Sequence, residues 1–584
     1  MPNIIGISAL FHDSAVSLLQ EGRLTAAAQE ERFSRAKHDP SFPVRAFRFC
    51  LKQGGISIHD IDRIAYYEEP VKKLERHLWM ALPHLSISQA MGFWEKAKRP
   101  VRKIREALGY DGPVEIVSHH QAHAASAYYF SGFEEAAILT VDAVGEWTTT
   151  AYGRGKANQI ELFDDVEFPH SIGLLYSTIT GYLGFSVNDG EYKVMGLAPY
   201  GRPIWTDSIW RLIRRGPLGQ FFLDMKYFDF VREDQMFTDA LVDLFGHPPR
   251  ERESEIEQFH KDVASSLQAV LEEILLEKCE YLYQKTGCEN LCMAGGVALN
   301  CVANARILRD GPFKRLFVQP AAGDAGCSAG AAALVEAHLN GGMARERLAH
   351  VYLGPAFSSN AIASMLASTP VTPRDFRERE DDLLKCVVDY LAAGKVVGWF
   401  HGRMEFGPRA LGARSIIADP RDPDMRDRIN ALIKMREAFR PFAPVVLESR
   451  ARSHFALDHP SPFMLETTSV CSALDLPAIT HVDNSARVQT VDPQHNPRFA
   501  RLLECFEQRT GCPILLNTSF NMRDEPIVCS PIDALVCFVR SGIDALILED
   551  FVIDRSDLPS SWGQLRPLIG RPQPAISDRV YTLI

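Results

Sequence analysis

Near the start of the chain, apolar residues gather in short runs at 4–8, 15–19 and 24–28, separated by the polar turn Phe11-His12-Asp13-Ser14 and by Glu21-Gly22. Short runs punctuated by turn residues predict a three-strand meander. The plan recurs at 137–141, 147–152 and 159–163, with Asp142-Ala143-Val144-Gly145 and Gly153-Arg154-Gly155 as the turns. A unit used twice predicts two similar halves bordering a cleft. Further on, a strand at 290–294 meets Gly295-Gly296 and a helix start at 297–306. A strand at 316–319 meets the loop Pro320-Ala321-Ala322-Gly323-Asp324-Ala325-Gly326 and a small-residue helix at 327–337. Glycine at such breaks lets backbone come close to a ligand. Val263, Leu267, Val270, Leu271, Ile274 and Leu275 recur at helical spacing, which predicts a long scaffold helix over 257–283.

The pattern lapses into a Gly- and Arg-containing connector at 341–355, which places a boundary near 350 between a first domain, 1–350, and a second, 351–584. In the second, helices at 383–392 and 425–436 and strands at 396–401, 415–419, 445–447 and 488–491 predict an α/β fold. A length of 584 residues is too great for one ordinary core, in keeping with two domains.

Composition narrows the function. A net charge of −11 without any block of Lys or Arg is not the electrostatic footprint of a nucleic-acid binder. Neither a signal-peptide core nor an apolar run of membrane-spanning length is found, so a cytoplasmic protein with no membrane partner is expected. The 12 cysteines include no Cys-x-x-Cys pair and read as buried free thiols.

Several constellations carry candidate chemistry. In His119-His120-Gln121-Ala122-His123 the outer two histidines stand one helical turn apart and point the same way, as nitrogen ligands of a first-row divalent metal would. Carboxylates from the Asp142 turn and the Asp324 loop complete a mixed nitrogen and oxygen set, whereas His120 faces elsewhere. His12, in the first turn, is either a general base or a turn residue bonded to backbone. The dense charge at 30–38 reads as a solvated face, with Lys37 as a candidate phosphate contact. Residues 188–201, Glu191 among them, read as a shaped loop. In the second domain Arg403, Glu405, Arg409 and Arg414 share one Gly-rich segment, joined by Arg440, Arg487 and the loop Asn517-Thr518-Ser519. Arginine forks suit phosphate oxygens, and together these residues predict a polyanion pocket.

Six motifs fall in one order: His119-His120-x-x-His123-Ala124-Ala125-Ser126-Ala127, Lys193-Val194-Met195-Gly196-Leu197-Ala198-Pro199-Tyr200-Gly201, Gly295-Gly296-Val297-Ala298-Leu299-Asn300, Glu405-Phe406-Gly407-Pro408-Arg409-Ala410-Leu411-Gly412-x-Arg414-Ser415, Phe439-Arg440-Pro441-Phe442-Ala443-Pro444 and Leu516-Asn517-Thr518-Ser519-Phe520-Asn521. With them the chain resembles the NodU/TobZ-type O-carbamoyltransferases over essentially its whole length. The resemblance implies a duplicated actin/sugar-kinase-like (ASKHA) N-terminal domain and a C-terminal YrdC-like α/β domain. It implies that ATP, with Mg(2+), and carbamoyl phosphate give carbamoyl-adenylate and pyrophosphate in the second domain. Carbamoyl then passes to a hydroxyl of a small-molecule acceptor, a secondary metabolite or sugar, at the first. His119, His123, Asp142 and Asp324 become ligands of Fe(2+) or another first-row divalent metal, and His12 the base. Lys37, Gly173, Glu191, Gly295, Gly296 and Asn300 become contacts to the adenylate; Arg403, Glu405, Arg409, Arg414, Arg440, Arg487, Asn517 and Ser519 line the ATP and carbamoyl phosphate site. Two rivals are a tRNA threonylcarbamoylation-like enzyme and a non-catalytic nucleotide-binding regulator on the actin-like fold.

Overall fold

The computed structural model describes residues 2–81, 98–217, 219–230, 235–343, 346–434, 437 and 439–565. The chain divides into two compact units: Met1–Glu30 with His38–Leu348 form the first, and the second begins at Ala349 and takes in the segment Glu31–Lys37.

The first unit holds two five-stranded sheets of one topology. Strands β1 (Asn3–Ser8), β2 (Ala15–Gln20), β3 (Arg23–Gln29), β4 (Arg63–Tyr66) and β5 (Val114–Ile116) lie in the order β3-β2-β1-β4-β5. Strands β6 (Glu135–Val141), β7 (Thr148–Lys156) and β8 (Gln159–Glu167) begin the second sheet. After a small hairpin of β9 (Ile213–Arg215) and β10 (Phe221–Leu223), β11 (Asn290–Ala294) and β12 (Arg315–Val318) complete it as β12-β11-β6-β7-β8. In each sheet the first three strands form an antiparallel meander, and the fourth and fifth add in parallel to the first. The strands expected at 290–294 and 316–319 are therefore the fourth and fifth members of the second copy. The long helix is Gln258–Thr286, ended by Gly287 in the left-handed region.

Helix Asp324–Asn340 packs against β1, β2 and helix His119–Tyr128. Small side chains permit this approach: a Cβ on Gly330 would lie 1.9 Å from the carbonyl oxygen of Ala122, so only glycine lets the two helices touch. The Ser17 and Ser328 hydroxyls, 2.7 Å apart, tie the helix to β2.

The second unit is built on a mixed eight-stranded sheet. Its members are β13 (Arg374–Asp375), β14 (Val397–Phe400), β15 (Arg414–Ala418), β16 (Ala443–Leu447), β19 (Gln489–Val491), β20 (Ile514–Ser519), β21 (Ala545–Leu548) and β22 (Phe551–Asp554), with β17 (Thr468–Ser469) and β18 (Ser485–Ala486) pairing apart. The order is β13-β22-β21-β14-β15-β20-β16-β19, and one core containing Trp399, Phe400, Ile416, Leu515 and Phe538 covers it.

Five local expectations change. The turn expected at Gly153-Arg154-Gly155 lies inside β7, and the chain reverses at Ala157-Asn158 instead. The charge at 30–38 is not a solvated face: Glu30, Glu31 and Arg32 are buried. Glu30 accepts the backbone N–H of Ala46 (2.8 Å), Arg32 donates to the Gly407 carbonyl (2.8 Å), and Arg35 donates to those of Pro526 and Ile527 (2.7 Å each). These anchors put Lys37 in the second unit rather than with the first domain. The stretch 188–201 is mostly helical, Glu191–Leu197 followed by Ala198–Tyr200, because Val194, Met195 and Leu197 bury one side. Asp324 opens its helix instead of sitting in the loop before it. The helix expected at 425–436 is Met425–Ile429 and continues as the wider turn Asn430–Lys434; residues 435 and 436 lie outside the described residues. Among the described residues no helix is long and apolar enough to cross a membrane.

Candidate metal centre

Helix His119–Tyr128 begins at its first histidine, so His119 and His123 occupy successive turns of one face, and both are buried. Their Nε2 atoms are 3.1 Å apart, and Asp142 Oδ2 lies 3.2 and 3.1 Å from them. Asp324 Oδ1 stands 3.7 and 3.8 Å from the same nitrogens. Asp142, at the end of β6, is oriented by its other oxygen, which accepts the N–H groups of Ala143 (2.8 Å) and Gly296 (3.1 Å). Gly295 makes that second contact available: its φ of +97° belongs to glycine, and a Cβ there would lie 2.1 Å from the Val141 carbonyl oxygen.

The donors fit a metal ion. Ligands each about 2.1 Å from a first-row ion stand about 3.0 Å apart at right angles and about 3.4 Å apart in a tetrahedron, close to the separations here. Asp324 Oδ2 is buried without a protein partner among the described residues, which a cation would relieve. The Nδ1 atoms of both histidines also lack one, so the ring tautomers follow from what Nε2 binds.

Electrostatics agree with the packing. Burial works against a charged His119, but the Asp324 and Asp142 carboxylates outweigh it and push its pKa up to about 9. Burial raises the carboxyl of Asp142, yet hydrogen bonds from both imidazoles hold it well below the usual range; Asp324 is raised by burial. His120 turns away, its Nδ1 2.6 Å from the Thr140 hydroxyl, and burial beside two other imidazoles keeps it neutral.

In the second unit the expected arginines divide. Arg414 is fully buried: it donates to the carbonyls of His401, Gly402, Ala413 and Pro355 at 3.0–3.2 Å, with its guanidinium 3.6 Å from the Phe400 ring centre. Glu405 Oε1 accepts three backbone N–H groups, from Leu411 (2.7 Å), Ala413 (2.8 Å) and Arg414 (3.2 Å). Both residues thus shape the loop. Arg403 donates to the carbonyls of Leu353 (2.5 Å) and Gly354 (3.2 Å), while Arg409, Arg440 and Arg487 are half-buried. Asn517 bonds Gln489 (2.7 Å), and Ser519 lies 3.1 Å from the Lys434 ammonium, a cation the sequence reading missed.

The sequence matches the family description Carbamoyltransferase N-terminus over residues 3–333 and Carbamoyltransferase C-terminus over residues 388–555. The chain belongs to the carbamoyltransferase family. It is 46% identical to an uncharacterized protein of Synechocystis sp. over 600 aligned residues, covering 96% of this chain and 98% of that one. Nodulation protein NolNO of Sinorhizobium fredii is 38% identical, covering 96% of this chain and 81% of its own. The solved ROK hexokinase of Thermus thermophilus covers 57% of this chain and 98% of its own at 15% identity, with a TM-score of 0.28, too low to carry an argument.

The other expected site residues of the first unit lie on several elements. Gly173 lies in the first turn of helix Ile172–Tyr182, whose capping Ser171 hydroxyl donates to the Asp142 carbonyl (3.2 Å). Asn300 caps helix Cys301–Asp310, accepting from the Ala303 N–H (3.0 Å), and donates to Gln268 on the long helix (2.9 Å). Glu191 accepts from the Ser177 hydroxyl (2.7 Å), and burial raises its carboxyl. His12 Nδ1 is 3.1 Å from Asp13, whose other oxygen is 2.8 Å from His38 Nδ1. Burial lowers His12, but Asp324 and Asp13 outweigh it and leave its pKa raised.

Sequence reading missed three residues here. Asp13 was passed over as turn chemistry beside His12. Cys327 Sγ lies within 4.8 Å of the His119 and His123 nitrogens, one helical turn from Asp324, a spacing that could have flagged it; burial holds its thiol protonated. Glu146, buried, accepts the N–H of His119 (2.9 Å), and no sequence signal marks that contact.

Proposed function

We propose that this family member is an ATP-dependent O-carbamoyltransferase with a step in each unit. In the second unit carbamoyl phosphate and MgATP are converted to carbamoyl-adenylate, releasing pyrophosphate and orthophosphate with one water consumed. Arg409, on the loop that Glu405 and Arg414 keep in shape, and Arg440 and Arg487, from segments before β16 and β19, are the cations assigned to phosphate oxygens. In the first unit the carbamoyl group passes to an acceptor hydroxyl and AMP leaves.

The observation that carries this reading is the convergence of His119, His123, Asp142 and Asp324 in the family's N-terminal part. These four would hold Fe(2+) or a similar divalent ion, which when bound supplies Lewis acidity toward the developing negative charge. The actin-like duplicated sheet plan supports nucleotide binding between the halves, with Gly295 and Gly296 beside the Asp142 turn and Asn300 at the following helix cap. His12, oriented through Nδ1 by Asp13, takes the hydroxyl proton at Nε2.

Pyrophosphate and carbamoylated product are to be measured separately. Arg409→Ala is expected to abolish pyrophosphate release. His123→Ala is expected to spare it and abolish transfer; loss of both in a folded His123→Ala protein would refute the two-step division.

A further inference from the structure

The second unit carries a paired imidazole and carboxylate to which the arginine assignments give no work. Strands β14 and β21 are parallel neighbours, and Phe400 pairs with Leu548 at their ends. His401 and Glu549 are the residues that follow, so they emerge side by side, with His401 Nδ1 2.5 Å from Glu549 Oε2. The other oxygen of Glu549 accepts the Gly402 N–H (2.7 Å). Burial opposes the charge on Glu549, but the hydrogen bond from His401 outweighs it and holds the carboxyl below its ordinary value. An ionised carboxylate at Nδ1 keeps the ring proton there, which leaves the Nε2 lone pair open to an incoming proton. Among the described residues Nε2 has no protein partner, and the His401 side chain keeps 23% of its surface exposed.

The sheet puts this pair at the same end as the residues assigned to phosphate. Phe400 pairs with Arg414, Ser415 with Ser519, Ala443 with Asn517 and Val445 with Gln489, so the end of β14, the start of β15, the end of β20 and the starts of β16 and β19 lie together. The Arg409 loop joins β14 to β15 at that end, and Arg440 and Arg487 stand just before β16 and β19. Arg414 donates to the carbonyls of His401 (3.2 Å) and Gly402 (3.1 Å), which fixes the backbone that carries the imidazole. On helix Pro497–Thr510, Arg498 lies 3.6 Å from Glu549 Oε2 and 3.0 Å from Asp550 Oδ1, so these carboxylates are offset and do not repel a phosphate.

We propose that His401 is the general base for the water consumed in the second unit, with Glu549 as its positioning residue. The inference rests on the adenylation proposed above and names the residues of its hydrolytic stage. Water attacks the phosphorus of carbamoyl phosphate, the P–O bond to the carbamoyl group breaks, and carbamate leaves. The water proton passes to His401 Nε2 and returns to the phosphate, giving carbamate and dihydrogen phosphate. A carbamate oxygen then attacks the α-phosphorus of ATP, and pyrophosphate leaves. The arginines at this end stay protonated near neutral pH and Glu405 is 3% exposed, whereas His401 can take a proton and is open to water.

The test gives the full-length protein MgATP with either carbamoyl phosphate, which needs the water step, or ammonium carbamate, which bypasses it. Pyrophosphate is measured, together with orthophosphate corrected for spontaneous decay of carbamoyl phosphate. His401→Gln should lower kcat with carbamoyl phosphate about a hundredfold, while pyrophosphate release from carbamate stays within about twofold of wild type. Glu549→Gln should lower the same kcat about tenfold with KM little changed, and carbamate should restore it equally. A merely structural role would impair both substrates alike. An unaltered rate from carbamoyl phosphate in His401→Gln, or equal loss with both substrates in that folded variant, would overturn the assignment, as would wild-type protein unable to use carbamate. Wild-type protein that releases pyrophosphate from neither substrate would refute the proposed reaction itself, which the variant outcomes leave standing.

Discussion

Metal binding at His119 should be linked to pH with a definite sign. The proton on His119 is held with a pKa of about 9 because nearby carboxylates outweigh the burial that opposes it. Nε2 can act as a ligand only once that proton has left. At pH 7 an incoming ion displaces a proton bound about two units too tightly, which costs ~2.7 kcal/mol, or about a hundredfold in affinity. The apparent Kd should therefore fall about tenfold per pH unit as pH rises toward 9, then level off. Chelator-treated protein titrated with Co(2+), followed by its visible absorption between roughly pH 6.5 and 8.5, reads this directly. Asp324→Asn removes the largest influence raising His119, so the break should move down toward the ordinary imidazole value of 6.5. Stoichiometric binding whose Kd is flat across that range, or rises with pH, would refute the reasoning.

Glu405→Ala orphans three backbone N–H groups beside buried Arg414 and is expected to destabilise the second unit by about 3 kcal/mol, with Glu405→Gln costing about half as much, read by urea unfolding. Gly295→Ala forces a side chain into a left-handed position against Val141 and should lower stability by about 2 kcal/mol or more and reduce metal content, measured by thermal melting and elemental analysis. His12 must be neutral to accept a proton, so transfer should rise with pH through its raised pKa; Asp13→Asn removes one cause of that rise and should shift the limb to lower pH. A pH–rate profile checks it, and an unmoved limb would show that Asp13 does not tune His12.

Much of the first unit was legible because strands and turns are local. The two meanders, the glycine breaks after β11 and the helix periodicity at 263–275 all appear as spacing, and the histidines at one-turn separation already shared a face. Local signals mislead where distant chain supplies the environment. Glu30, Glu31 and Arg32 read as solvated charge because their partners, such as Ala46 and Gly407, are not neighbours in sequence. That Arg414 directs its two terminal nitrogens at four backbone carbonyls was likewise not visible in spacing.

The sequence by itself therefore determined the repeated sheet plan, the family motifs and the histidine pair at one-turn spacing, since each depends on residue type at short spacing, and it nominated Asp142 and Asp324 as the carboxylates of the candidate site. Only the tertiary structure decided that those donors converge. Asp142 and Asp324 are brought to His119 and His123 by the packing of the histidine helix on β6 and by its glycine-permitted contact with helix Asp324–Asn340. It alone also placed Asp13 on His12, Glu146 on the His119 backbone and Glu549 on His401. Hydrogen bonds and ring contacts act over a few ångströms in space, a distance that separation along the chain does not encode.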